Sequence, residues 1–429
     1  MTHTDYTKKL LNIEDENIYF YENCLNITEI KGIKTKIFHA YLTYTPSSCP
    51  KCKCINSGTD DIIKWDFKRN CKVKITKVCN YNTILLLDKQ RFFCKHCNKT
   101  FTASTNIVDF HKQISNDTRT SVILDLMTKD SEKNIAKRNN ISTNSVNRIL
   151  DSISNDKYVK NNGKLPTSFG IDEFSATKDT ISKMAFIIVN QDTHNIFDIN
   201  NSRLSNDIYK YFSRYQRFER NKVKFITMDL YKPYYSLMHQ LFPKAILIPD
   251  RFHIILQIRN ALDKTRINLC KKANPNYNKL KKYWKLILKN EDDLDKNKKK
   301  YSRNFSKEIS QYDIVQYIIN TDGILKYTYN LYQGIIKSIA KRDKNKFLNI
   351  IHNVDNKKLN KYSKKAIKTF LNFENYIINS FDYELSNGIV EGTNNLIKQV
   401  KHNACGYRKF NHLKARIMLI KGIYNPLNA

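Results

Sequence analysis

Cys49-Pro-Lys-Cys52 and Cys94-Lys-His-Cys97 impose a closure on this 429-residue chain. A Cys-x-x-Cys turn aims two thiols at one point, and a tetrahedral metal ion needs two such turns. The intervening segment, about forty residues, must loop out and return. Its pattern suits that path. Ile62–Phe67, Lys72–Val78 and Thr83–Leu87 alternate apolar and polar residues, which predicts short strands. Ten cysteines in this length are far too few for a secreted disulfide scaffold. The reading is a structural Zn²⁺ bound by Cys49, Cys52, Cys94 and Cys97 in a zinc-ribbon-like module. A redox role for one pair is the competitor, opposed by the lack of a βαβ pattern after either. Cys54, Cys71, Cys79 and His96 are spare donors nearby.

Charge points to the partner. Lys and Arg number 74 against 40 Asp and Glu, a net of +34. Codon bias explains part of the lysine, but acids drawn from the same pool do not balance it. So positive a chain attracts polyanions through counterion release, which predicts nucleic acid. An anionic membrane surface is the weaker competitor, since no basic amphipathic helix stands out. No apolar run reaches the ~18 residues of a membrane span. Asp5, Glu14, Asp15 and Glu16 rule out a secretory signal, so a cytoplasmic, nucleoid-associated protein is expected. Only 10 Gly and 8 Pro favour a helix-rich chain.

From Asn116 to Ile153 the period becomes helical. Val122, Ile123, Leu126 and Met127 line a first helix. Ser131 caps a second that buries Ile135 and Ala136, and Ser142 caps a third with Val146, Ile149, Leu150 and Ile153 inside. The outer face of the third carries Thr143, Asn144, Asn147 and Arg148, which can reach bases or phosphates. Two short helices with a tight turn describe a helix-turn-helix; a plain three-helix connector is the alternative.

After Asn161-Asn162-Gly163 the pattern turns to strands at Ser168–Asp172, Met184–Asn190 and Asn195–Ile199. A helix over Ser205–Arg220 follows, then a strand at Val223–Met228, a helix at Tyr234–Leu241 and a strand at Ala245–Ile248. That order is the one of a ribonuclease H-like core. In it Asp172 lies within or at the end of the first strand and Asp229 at the end of the fourth, and adjacent central strands place them side by side. Two carboxylates so close repel unless cations neutralise them, and hard oxygen ligands suit Mg²⁺ or Mn²⁺. A third acid from a later helix completes such a site. Glu391 is the choice, with Asn395, Lys398 and His402 on the same helical side. Glu173, Asp179, Asp250 and Glu384 are rivals; alternation sends Glu173 to the opposite face from Asp172. His253 reads first as a satisfied core or surface histidine.

These residues carry a resemblance. Cys94-Lys-His-Cys97-Asn-Lys-Thr-Phe101, Gly170-Ile-Asp172-Glu-Phe, Thr227-Met-Asp229-Leu-Tyr-Lys-Pro233 and Pro249-Asp-Arg-Phe-His253 occur in order. Ser386-Asn-Gly-Ile-Val-Glu391-Gly-Thr-Asn-Asn-Leu-Ile-Lys398 follows, continuing to Gly406-Tyr-Arg408 and Phe410. From about Thr45 to Ile423 the chain resembles insertion-sequence transposases of the ISL-three family, of the Asp-Asp-Glu type. The resemblance implies that Asp172, Asp229 and Glu391 form the catalytic triad and hold two Mg²⁺ or Mn²⁺ ions. It implies that the zinc module and helix-turn-helix bind element ends, and that the partner is double-stranded DNA, terminal inverted repeats and target alike. A homodimer or higher assembly on DNA is expected. Asn395, Lys398, Lys401 and Arg408 are further candidate DNA contacts.

The expected organisation is multi-domain α+β. Residues 1–44 form an N-terminal extension, 45–112 the zinc module and 113–160 the helix-turn-helix. Residues 161–253 and 380–425 form the ribonuclease H-like core, interrupted by a helical insertion over 254–379 that either clamps DNA or serves as scaffold. The expected activity is metal-dependent DNA strand cleavage and strand transfer. A DNA-binding regulator with an inactive core, and a nuclease that cuts without joining, are the alternatives.

Overall fold

The structure, a computed structural model, describes residues 2–57, 61–155 and 163–423. Asn161 and Asn162, part of the expected break, lie outside them. The chain divides into two compact units, Met1–Val159 with Leu396–Ala429, and Lys160–Asn395. The fold is mixed α+β with three sheets among the described residues. None of the described helices is long and apolar enough to cross a membrane.

In the first unit, helix α1 (His3–Leu11) starts on a capping box in which Thr2 and Asp5 satisfy each other's backbone N–H groups. Strands β1 (Ile18–Ile30), β2 (Ile33–Leu42), β3 (Ile62–Val78), β4 (Tyr81–Cys94) and β5 (Lys99–Thr102) follow. They make one sheet in the order β1-β2-β4-β3, with β5 on β4. Two expectations change here. The strands read at Ile62–Phe67 and Lys72–Val78 are one long strand, β3, broken only by register shifts against β4. The 1–44 segment is integral to this sheet: β2 runs parallel to β4, and Ile18, Phe20, Phe38, Ala40 and Leu42 are buried with Leu85, Leu87 and Phe92. Alternating apolar residues on β1 and β2 have no other face to bury against.

Helices α2 (Asn116–Leu126), α3 (Glu132–Arg138) and α4 (Thr143–Asn155) complete the unit together with the C-terminal helices. Ser115, Ser131 and Ser142 each accept a backbone N–H at a helix start. Val122, Ile135, Val146, Leu150 and Ile153 form the core, joined by Ala415 and Leu419 of the Phe410–Ile420 helix. The sequence reading placed 380–425 wholly in the catalytic core; the Phe410–Ile420 helix packs instead on α2–α4. Arg416 explains the attachment. It is only 1% exposed, and its guanidinium donates to the carbonyls of Leu126, Thr128 and Asp130 at 2.7, 3.1 and 2.6 Å. Those carbonyls follow or end α2 and lack intrahelical partners.

The second unit holds β6 (Ser168–Ser175), β7 (Met184–Asn190), β8 (Ile196–Asn200), α5 (Ser205–Ser213), α6 (Arg217–Arg220), β9 (Phe225–Met228), α7 (Lys232–Leu241), β10 (Ile246–Pro249) and α8 (Arg251–Leu269). The sheet order is β10-β9-β6-β7-β8. β10, β9 and β6 are parallel, and β7 and β8 run antiparallel in a meander. The helix expected over Ser205–Arg220 is split into α5 and α6, because Tyr215 turns into the core. Phe169, Phe186, Phe212 and Phe242 are all fully buried between sheet and helices. The 254–379 stretch is mostly helical, with a small hairpin of Lys300–Ser302 and Lys307–Ile309. Its Ile254, Ile258, Leu325, Ile335 and Phe347 share the core of the sheet, so it is folded onto this unit.

Candidate active site and thiol cluster

Register brings the acids together. In the parallel β6–β9 pair Gly170 lies opposite Thr227, so two residues on Asp172 emerges beside Asp229. In the β9–β10 pair Met228 lies opposite Pro249, which brings Asp250 alongside as well. Asp229 and Asp250 thus leave the carboxyl ends of β9 and β10, and Asp172 lies beside them within β6, which runs on to Ser175 paired with β7; this is the side on which open α/β sheets place their ligands. A cleft of about 370 Å³ opens there, lined by Asp172, Glu173, Arg203, Asp229, Tyr234 and His253 among others.

Each carboxylate has a different environment. Asp172 accepts from the Glu173 N–H and from Asn394 Nδ2, both at 2.7 Å. Glu173 is held by Arg203 at 2.7 Å and by the Tyr234 hydroxyl, so its charge is already matched. Asp229 Oδ1 is buried and lacks a hydrogen-bond donor; the His253 Nε2 lies 3.1 Å away without hydrogen-bonding geometry. Asn394 Oδ1 is likewise buried and unpaired. Burial first, and then the charges of Asp172, Asp250 and Glu173, push the Asp229 carboxyl up to about 8. Burial also raises Asp172 and Asp250. Crowded acids with orphaned oxygens are a donor set for a hard divalent cation, and Asp229, Asp250 and His253 place ligand atoms within 4.8 Å of one another.

Glu391 sits exposed in the first turn of the Gly388–Asn403 helix. It does not line the cleft, but its charge acts on Asp250. The inward face of that helix carries Val390, Thr393, Asn394 and Ile397, so Asn394 rather than Glu391 touches Asp172. Sequence reasoning did not single out Asn394: it looks like another surface amide in a polar run. His253 was set aside as structural; its three-residue spacing from a strand-end aspartate was the available signal. Glu384 is exposed and paired with Arg342 at 2.8 Å.

A buried polar clamp anchors the start of this helix. Gln191 Nε2 donates to Thr227 Oγ1 at 2.7 Å and to the Ser386 carbonyl at 3.1 Å. Thr227 Oγ1 donates to Asn387 Oδ1 at 2.8 Å, and Asn387 Nδ2 donates to the Ile171 carbonyl at 3.1 Å. Gly170 makes room for it. A Cβ there would lie 2.6 Å from Val390 Cγ2, 2.7 Å from Gln191 Nε2 and 2.8 Å from Asn387 Oδ1. Gly170→Ala is therefore expected to destabilise the second unit by about 1–3 kcal/mol, measured by urea unfolding. A change within error would show that the clamp yields freely.

The four sulfur atoms of Cys49, Cys52, Cys94 and Cys97 lie within 4.8 Å of one another and could hold a metal ion. Cys49–Cys97 and Cys52–Cys94 are both 3.8 Å apart. Lys53 (φ 65°) and Asn98 (φ 51°) follow the two pairs in the left-handed region, turning the backbone around the thiols. Nearby N–H groups, those of Cys54 and Cys97 respectively, lower the Cys52 thiol to about 6 and depress Cys94. The Cys54 thiol, 3.4 Å from Cys94, is pushed up to about 12 by Cys94 and Cys52; burial and the same neighbours push Cys97 up to about 12. Four thiolates this close need a cation.

The candidate DNA-contacting residues are placed as follows. Thr143, Asn144 and Arg148 are exposed on α4 and Asn147 is half-exposed, opposite the buried Val146 and Leu150. Asn395, Lys398 and Arg408 are exposed, whereas Lys401 is half-buried, which lowers its ammonium pKa.

Over 114 residues, 27% of its length, the chain is 33% identical to an ATP-dependent protease of Lactococcus lactis subsp. lactis, and spans 36% of that curated relative. Residues 169–417 match the family model of the ISL-three type of Asp-Asp-Glu proteins, described as a transposase. That match runs from β6 through the acid-bearing strands, the helical stretch and the Glu391 helix, more than half of the chain, and the chain belongs to the ISL-three transposase family.

Proposed function

We propose that the chain is a DNA transposase that binds element ends and carries out divalent-metal-dependent strand cleavage and strand transfer. The observation that carries this reading is the meeting of Asp172 and Asp229, whose buried Oδ1 accepts no hydrogen bond, on adjacent parallel strands. The strand order β10-β9-β6-β7-β8 supports a ribonuclease H-like core. Asp172 and Asp229 are assigned as ligands of two Mg²⁺ or Mn²⁺ ions, with Glu391, which stands outside the cleft, as the third ligand that the family resemblance implies. Bound there, such ions would supply Lewis-acid stabilisation of the charge that develops on the scissile phosphate. Within the chain, Asn394 fixes the Asp172 carboxylate through its Nδ2, and Arg203 with Tyr234 holds Glu173 in the cleft lining, where its charge still acts on Asp229.

In the first unit, Cys49, Cys52, Cys94 and Cys97 are assigned to structural Zn²⁺. A tetrahedron of ~2.3 Å Zn–S bonds has edges of about 3.8 Å, and two of the sulfur pairs match it. Helices α3 and α4 are assigned as a helix-turn-helix, with Thr143, Asn144, Asn147 and Arg148 facing DNA, and a homodimer or larger assembly is assigned to the DNA-bound state. Cytoplasmic action on the nucleoid follows from DNA as partner. The protease name of the Lactococcus relative is not transferred, because the likeness covers 36% of that protein. The test is an assay with the full chain, Mg²⁺ or Mn²⁺, and DNA carrying the ends that flank the gene. Cleaved and joined products are expected; cleavage without joining would make the protein a nuclease, and binding alone a regulator.

Acid crowding also makes stability depend on pH. In the ion-free protein the Asp229 carboxyl holds its proton up to about 8, whereas in the unfolded chain it loses it near 3.8. The unfolded state binds fewer protons across that window, so this group's contribution to stability falls as pH rises from about 4 to 8. Bound Mg²⁺ favours the ionised form and opposes the loss. The melting-temperature gain on adding Mg²⁺, with no chelator present, is expected to grow by several degrees between pH 6 and pH 8, about the window of this titration. A gain that shrinks with pH would contradict the acid site as the locus of binding.

A further inference from the structure

We propose that the groove between β3 and the 101–113 segment binds the phosphate backbone of duplex DNA through Lys68, Lys72 and Lys89, with Phe110 packed against the nucleic acid at its rim. This site lies apart from the outer face of α4, and it rests on the reading of DNA as the partner.

The groove encloses about 970 Å³, and none of its lining residues is acidic. Two of its basic side chains are already matched from outside: Arg69 lies 3.9 Å from Asp88, and Lys112 lies 2.6 Å from Asp109. Lys68, Lys72 and Lys89 have no acidic partner among the described residues. Lys89 is the informative one. It is half-buried on β4, and burial, partly offset by the Cys71 thiol and added to by Lys68, pulls its ammonium below the usual lysine range. A desolvated cation beside another cation costs free energy unless an anion arrives. Lys68 and Lys72 flank a bulge at which Asn70 adopts φ 52°; they stand opposite Lys89 and Leu86, three residues or about 10 Å apart on β4, a span of roughly three phosphates along a duplex axis.

Phe110 gives the anion an identity. It is 82% exposed and rests on the His111 ring with centroids 4.0 Å apart. His111 adopts φ 60°, which turns the segment outward. An exposed aromatic lining the same groove as the lysines suits duplex DNA, whose phosphates meet the lysines and whose base steps admit an apolar wedge. An acidic protein would meet the lysines but leave the ring in water.

The test uses the full chain and a fluorescein-labelled duplex of arbitrary sequence, followed by anisotropy between about 50 and 200 mM NaCl. The K68Q/K72Q/K89Q variant is expected to lose about two to three units from the slope of log affinity against log salt. Should K89Q disturb folding, K68Q/K72Q is expected to lose about two. F110A is expected to weaken binding about tenfold with the slope unchanged. A charge-matched control on α1 and the β1–β2 turn, K9Q/K31Q/K34Q, is expected to change the slope by less than about one. An unchanged slope in the lysine variants, an equal loss in the control, or competition by polyglutamate as effective as by unlabelled duplex overturns the groove. If the unaltered protein shows no salt-dependent DNA binding at all, the DNA reading fails with it; if it binds and the groove variants bind equally, only the groove fails.

Discussion

Asp172→Asn and Asp229→Asn are each expected to lower DNA cleavage and joining by at least about 10³-fold, with DNA affinity unchanged or slightly higher. The argument is electrostatic. Asn keeps the size of Asp but removes one negative charge, and the site's donor set depends on several charges acting together. Asp229 is the sharper case, because its Oδ1 has no donor and its carboxyl sits among Asp172, Asp250 and Glu173. With no bound cation, Asp229→Asn removes the cost of taking up a proton on folding above about pH 4 and should raise the melting temperature. Activity and stability therefore move in opposite directions, which separates loss of a ligand from loss of folding. Glu391→Gln is expected to match the aspartate variants. Asp250→Asn is the informative companion, since Asp250 lies within ligand distance of Asp229 and His253. Full loss with Asp250→Asn but not with Glu391→Gln would move the third ligand to Asp250. Wild-type activity in both Asp172→Asn and Asp229→Asn would end the metal-site reading altogether.

Local chemistry made much of this legible. The strand expected at Met184–Asn190 spans those residues, and Ser131 and Ser142 cap the helices assigned to them, because periodicity and capping act over a few residues. Long-range choices were hidden. Nothing within β2 announces that it will run parallel to β4, and nothing in the Phe410–Ile420 helix announces that Arg416 will cap α2. β3 was read as two strands because exposed polar residues interrupt its alternation, where register shifts absorb the break. In the candidate site Asp172 and Asp229 could be found from element order alone. His253 and Asn394 could not, since an imidazole or an amide acquires its role only from the carboxylate that the fold sets beside it. Glu391 shows the converse. Its helix and exposure follow from the sequence, but helical rotation turned Asn394, three residues on, toward Asp172.

Cys94→Ser is expected to reduce bound zinc from about one ion per chain to a small fraction, and to unfold the β1–β5 sheet while the second unit stays folded. A structural zinc site carries ~10–16 kcal/mol of apparent binding free energy, comparable to the ~5–15 kcal/mol that holds a whole domain together. Cys94 is fully buried and shares a core with Leu85, Leu87 and Phe92, so loss of the site also strips the end of β4 from its packing. Limited proteolysis should then cut within the β1–β5 sheet and leave the Lys160–Asn395 unit intact. Cys54→Ser discriminates ligand from bystander. Its sulfur is 3.4 Å from Cys94, shorter than the 3.8 Å separations among the four assigned ligands. A neutral thiol that only donates toward Cys94 can be replaced by a hydroxyl with the zinc retained. Zinc retained in Cys94→Ser and lost in Cys54→Ser would instead exchange the roles of the two cysteines.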